Sequence, residues 1–412
     1  MVIRRYQRGS IALTSNWSLG DWKRRRRLIP FVLIAGYVAG WAASPLLGSR
    51  TPSDLDLFFW PSAELAAHGH PLLVYSAPGI DDNGPLGLVP LVPIVLIANA
   101  LGLANNLQVR AGMACVVVAV FALLLGTEAL RLLDGARGAT RWRLATMCVF
   151  LFAPALVISG FDYGHLEQPI ELWLVLLALR YTAMERSVVA GLALGLAVLT
   201  RTTAVLYILP FILLPMATRR WKPAASLLAV TGAVVIGGVV PFLVADRTNV
   251  VHSLLTYRPD LPIGGGSLWV AIRGTATAGL VQHGDVYLIV AVVAGLIAVT
   301  IRFRPTMAMT TAGVCGLLSV AAACFPMLAK AVYPYYLLEP YVFAALWWLA
   351  RPGSALNWRI AAPLLVTAGA SLAELGRPLP MSSFGVFEGV VSSVIVATAI
   401  VLVMVDLWFG SA

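Results

Sequence analysis

An all-helical protein that crosses a membrane about twelve times is the fold that three observations predict. The chain of 412 residues is 59% hydrophobic and 12% charged, against about 25% charge in an ordinary soluble domain. Its mean hydropathy is +0.86. Its basic residues cluster between apolar runs of spanning length, the pattern left by the positive-inside bias. No polar stretch between the runs exceeds roughly forty residues, too few for an unaided soluble domain. Residues 1–412 are therefore read as one membrane domain.

The elements follow in order from placing each basic cluster on the cytoplasmic side. Residues 1–27 are a basic cytoplasmic N-terminus ending in Lys23-Arg24-Arg25-Arg26-Arg27. Span one (about 28–49) carries no charged side chain and runs outward. It is full span length and many more follow, which argues against a cleavable signal. Residues 50–107 form the first outer loop. Span two (about 110–131) returns to Arg131, Arg137, Arg141 and Arg143, and span three (about 144–160) leads out to Asp162 and His165. Span four (about 168–184) comes back to Arg186. Spans five (about 187–200) and six (about 202–218) form a short hairpin with Arg201 at its outer tip. Span seven (about 224–245) opens a second outer loop, 246–281, and span eight (about 284–301) returns to Arg302 and Arg304. Span nine (about 306–325) reaches the outer segment from Lys330 to Tyr336. Spans ten (about 337–350), eleven (about 358–375) and twelve (about 386–408) complete the path. It leaves 21 of the 29 Lys and Arg residues on the cytoplasmic side.

Residues 86–104 are nearly as apolar as a span, but counting them as one would invert every later loop. Pro90 and Pro93 interrupt the helix and Asn105-Asn106 ends it. The stretch is read as an interfacial or re-entrant helix on the outer leaflet.

The net charge of +10 does not point to nucleic acid, because the basic residues sit at span ends, where topology and membrane lipids account for them. Cys115, Cys148, Cys315 and Cys324 lie in apolar segments without paired spacing and read as small buried hydrophobes. No cofactor is expected. His68-Gly69-His70 with Asp81-Asp82 leaves a divalent metal open, beside the plainer reading of a polar turn.

On this path all five histidines and eleven acids, Asp54, Asp56 and Glu167 among them, fall on the outer side, and the span centres are bare. A carrier is expected to hold polar groups near the midplane, so one-sided chemistry favours an enzyme. Asp54 and Asp56 lead as catalytic acids. In a helix they point about 200° apart, so one of them faces a reacting centre; the alternative is that Asp54 caps a helix, with Ser53 or Thr51 sharing the task. Asp162, His165 and Glu167 concentrate three titratable groups in six residues. Arg201, Arg258, Arg273 and Lys330 read either as interfacial anchors or, if they converge, as a phosphate site.

These landmarks resemble the glycosyltransferase-C superfamily, and within it the polyprenol-phosphate-sugar-dependent bacterial branch that includes phosphatidylinositol-mannoside mannosyltransferases. The matching residues are Ser53-Asp54-Leu55-Asp56-Leu57-Phe58, then Gly69 with Leu73-Val74-Tyr75, and the apolar helix from Pro85 to Asn105. Gly164-His165-Leu166-Glu167, the run from Gly191 through Gly195 to Arg201, and Tyr333-Pro334-Tyr335-Tyr336 complete them. The chain departs from the branch in having Asn83-Gly84-Pro85 where a Tyr-Pro-Pro element is common. The resemblance implies inverting transfer of a sugar, a hexose such as mannose or a pentose, from a polyprenyl-phospho-sugar donor to a lipid or glycan acceptor at the outer face of the cell membrane. It implies Asp54 as general base with Asp56 as runner-up, and Arg201, Arg258, Lys330 and His283 at the donor phosphate. His165, Glu167, Asp162 and Tyr335 would contact substrate. The competing expectation is a multi-span transporter or flippase for lipid-linked sugars, which leaves the sugar bond intact.

Overall fold

The computed structural model describes residues 52–77, 83–133, 156, 158–257, 261–265, 267–273, 275, 277–351, 358–376 and 383–410. Span one, most of span three, Thr51, Asp81, Asp82, Cys148 and Arg258 lie outside the described residues. Asp162 falls in a described backbone turn, but its side chain is outside the description.

The described chain is all-α apart from one parallel bridge, β1 (Gly264–Gly265) against β2 (Ala331–Val332). A π-helical turn, Leu55–Phe59, leads into α1 (Trp60–Ala67). Then come α2 (Pro85–Leu88), α3 (Leu91–Ala100), α4 (Leu107–Leu133), α5 (Glu167–Ala183), α6 (Ser187–Thr200), α7 (Val205–Ala217) and α8 (Trp221–Ala245). The remainder are α9 (Arg247–Val251), α10 (Ala278–Phe303), α11 (Pro305–Ala308), α12 (Thr311–Leu328), α13 (Leu338–Ala350), α14 (Ala361–Gly376) and α15 (Ser383–Phe409).

Five of these helices, α4, α8, α10, α12 and α15, are long and apolar enough to cross a membrane. The other expected spans among the described residues are helices of 13 to 17 residues, about 20–26 Å at 1.5 Å per residue. At one end some continue as short turns that carry polar groups, as at Arg201–Ala204 and Lys330–Leu337. The 86–104 stretch breaks at Val89-Pro90 and leaves α3 only ten residues long. That is about 15 Å, half of a hydrocarbon core.

Helix α6 packs between α5 and α8, α12 packs on α13 and α15, and α4 lies along α5. The α6–α8 contact rests on Gly191 and Gly195, one helical face four residues apart. A Cβ on Gly191 would come within 2.7 Å of the Leu227 carbonyl, and one on Gly195 within 2.6 Å of Val234. Small residues at this spacing let two helix backbones approach closely, an arrangement common where lipid surrounds the pair. Trp60, Phe211, Phe343 and Trp347 fill the interior. By contrast, α8 exposes Leu228, Ile236 and Val244, and α10 exposes Leu280, Tyr287 and Phe303, which gives the bundle an apolar exterior.

The ion pairs sort by end. Glu128 holds Arg131 and Arg180, Glu185 holds Arg220, and Asp406 holds Arg351 and Arg359; the sequence path has these residues in cytoplasmic loops or at the cytoplasmic ends of its spans. Asp54 with His165, Asp56 with Arg110, and Arg201 with Glu339 join residues it assigns to the outer side. Cys115, Cys315 and Cys324 are buried free thiols.

Candidate active site

One of the second set of pairs, His165 with Asp54, holds a partly open carboxylate. Ser53 to Asp56 begin the first helical turn, and this turn separates the two acids as a helix must. Asp56 points inward. Its Oδ2 accepts the Ser53 backbone N–H at 3.1 Å, closing the turn as an acid three residues on closes a capping box. Its Oδ1 lies 3.6 Å from the Arg110 guanidinium. Arg110 in turn lies over the Trp60 ring, 4.6 Å from its centroid. Asp54 makes no cap hydrogen bond, so the capping task falls to Asp56. The Asp54 side chain is 27% exposed, against 3% for Asp56.

Asp54 Oδ2 is 3.1 Å from Nε2 of His165, a residue 111 positions away. The loop that delivers His165 turns on Gly164, whose φ of +76° suits a residue without Cβ; a Cβ there would also strike Leu55 at 2.5 Å. The Gly164 and His165 N–H groups both donate to the Ser159 carbonyl, at 2.8 and 3.0 Å. On its other side His165 Nδ1 meets Glu167 Oε1 at 2.5 Å. Tyr335 stacks on the ring with centroids 3.8 Å apart, and Phe59 meets it edge-on at 5.1 Å.

Burial of this imidazole works against its cationic form, but the charges and hydrogen bonds of Glu167 and Asp54 outweigh it and push the pKa up to about 9. The folded value lies above the ordinary 6.5, so the pair's contribution to stability is complete below about pH 6.5 and is lost as pH rises through about 9. Thermal unfolding of the detergent-solubilised protein should show a midpoint that declines over this window. In His165→Gln that decline should disappear.

Behind the imidazole lies a second polar layer. Gln168 donates to the Tyr335 carbonyl at 2.9 Å and to Glu339 at 3.2 Å, and accepts from Ser159. Arg201 donates to Glu339, lies 3.9 Å from Glu171, and faces the Tyr336 ring at 5.4 Å. Burial opposes its charge, yet Glu339 and Glu171 raise its pKa further above the usual guanidinium range. Asp54, Glu167, Glu171 and Glu339 thus share two cations, His165 and Arg201.

Of the residues expected to contact substrate, Glu167 and Tyr335 gather around His165, and His165 in turn meets Asp54. Of those expected at a phosphate, Arg201 is committed inside the bundle. Lys330 is fully buried, with Nζ donating to the Gln282 carbonyl at 2.5 Å. This brings it to the start of α10, beside the exposed His283. Arg273 is also exposed. His68 and His70 are exposed, and among the described residues no three His, Cys, Asp or Glu side chains form a group fit for a metal. Sequence reasoning missed Glu171 and Gln168. Glu171 stands four residues after Glu167, on the same helix face, and that spacing was the available signal. No protein-family model matches the chain, and a search of curated proteins finds no match.

Proposed function

We propose that this chain is a polytopic membrane glycosyltransferase that moves a sugar from a polyprenyl-phosphate donor to a lipid or glycan acceptor on the extracytoplasmic face of the cell membrane. The observation that carries the reading is the Asp54 carboxylate, the more open of the two leading acids, held by His165 where the outer segments of the path converge. Asp54 takes the proton of the acceptor hydroxyl while that oxygen attacks the anomeric carbon from the side opposite the phosphate. The anomeric C–O bond to phosphate breaks, polyprenyl phosphate leaves with the electron pair, and the sugar's configuration inverts. We assign the phosphate to the basic groups of the second outer segment, Arg258, Arg273 and His283. Arg201 and Lys330 act from within the protein. The twelve-span path, with α2 and α3 lying on the outer leaflet, supports this sidedness through the pairing of charges end by end.

The purified chain in detergent should convert a polyprenyl-phospho-hexose and a glycolipid acceptor into an anomerically inverted product without any ion gradient. The rival is a transporter or lipid flippase, and the Glu171–Arg201–Glu339 group, charge buried inside the helical bundle, is the feature that favours it. Gradient-driven movement of the donor across vesicles, with the sugar bond intact across a panel of hexose and pentose donors, would replace the enzyme reading with that one.

A further inference from the structure

His165 was expected to touch substrate, yet its surroundings leave it little surface with which to do so. Both ring nitrogens face carboxylates, one face lies on Tyr335, Phe59 closes an edge, and the residue is 5% exposed. The Asp54 side chain, by contrast, makes no hydrogen bond to any other described residue. We infer that His165 is a positioning residue: clamped by Glu167, it binds Oδ2 of Asp54 and leaves Oδ1 for the acceptor hydroxyl. The inference rests on the transferase reading above and adds to it the device that aims the base.

A carboxylate on a single freely rotating side chain would point at the acceptor only part of the time, and a misplacement of about 1 Å can cost a factor of about 10² in rate. A hydrogen bond from a ring that is itself immobilised removes this freedom. The ring is immobilised from three directions. Gly164 and Ser159 fix the backbone, Glu167 at the start of α5 fixes Nδ1, and Tyr335, from the chain before α13, fixes the plane. Tyr163 also faces the ring, with centroids 6.3 Å apart. Arg201 and Glu339 stand one layer further back, linked through Gln168.

The test has two arms, so that its failure can be told from failure of the transferase reading. The first needs no turnover. The full chain is labelled with ¹⁵N-histidine, and the His165 signal among the five histidines is identified by its loss in His165→Gln. The ring should carry protons on both nitrogens at pH 7.5, and its titration should move down by one pH unit or more in Asp54→Asn. A neutral ring at pH 7.5, or a titration indifferent to Asp54→Asn, overturns the pairing. The second arm is kinetic. In His165→Gln, where the amide still donates to Asp54 but carries no charge, kcat should fall 10- to 100-fold with the donor KM unchanged. In Glu167→Gln the alkaline limb of the rate profile should move down from about pH 9. A raised donor KM at unchanged kcat makes His165 a substrate ligand and overturns the proposal, as does an unmoved alkaline limb. Wild-type protein that transfers no sugar defeats the transferase reading alone, while the first arm still decides whether the pair exists.

Discussion

Asp54→Asn should lower the rate of sugar transfer about 10²- to 10⁴-fold, the usual contribution of a positioned general base, with the folded protein present at wild-type levels. The amide keeps the shape of the side chain and can still accept a hydrogen bond from His165, so the turn and the loop around Gly164 have no cause to move. What it loses is the capacity to take a proton. Asp56→Asn should behave in the opposite way. It weakens the contacts with Ser53 and Arg110, so thermal stability drops while the folded fraction keeps its turnover. Turnover per folded molecule, measured for both variants, separates the two acids. An active Asp54→Asn beside an inactive, well-folded Asp56→Asn would transfer the base to Asp56.

Arg201→Leu is expected to be among the most destabilising single changes in the protein. It strips the cation from two buried carboxylates, Glu339 and Glu171, both largely out of reach of solvent. Breaking a buried pair from one side costs about 3–5 kcal/mol. Detergent-solubilised Arg201→Leu should unfold at a markedly lower temperature, and adding Glu339→Leu should recover part of the loss, because the double variant buries one charge fewer. Were Arg201 instead a ligand of the donor phosphate, the single variant would keep its unfolding temperature and lose donor affinity.

These two residues mark how far the sequence was legible. The bounds of α6, 187–200, follow from the sequence because Arg186 and Arg201 punctuate an uninterrupted apolar run. The same rule placed α5 and α8 within three residues of their observed ends, whereas α10 begins six residues before the expected 284. The break at Pro90 was also readable, since proline acts locally, whereas Pro93 sits in the first turn of α3 without interrupting it. What local reading could not supply was partnership. Arg201 is flanked only by apolar and hydroxyl residues, so it reads as an anchor at the lipid headgroups or a ligand of the donor phosphate, in either case without a protein partner. Its partner Glu339 lies 138 positions further on. Asp54 and His165 were each singled out, but the hydrogen bond between them joins segments on either side of α4. No periodicity records such a meeting. Asp56, ranked just behind Asp54, turned out to be the acid that closes the helix, a role that depends on Arg110 reaching back across the loop.

The late appearance of Glu339 has a consequence for biosynthesis. At a translation rate of about 5–20 residues per second, roughly 7–28 s pass between the synthesis of Arg201 and that of the carboxylate it finally binds. On the proposed path, the nascent hairpin of α6 and α7 must carry a guanidinium across the bilayer long before that partner is made. Glu171, synthesised only thirty residues earlier on α5 and 3.9 Å away in the finished protein, is available throughout. It is suited to serve as the interim counter-ion, chaperoning the arginine's charge until the C-terminal third of the chain arrives to take it over.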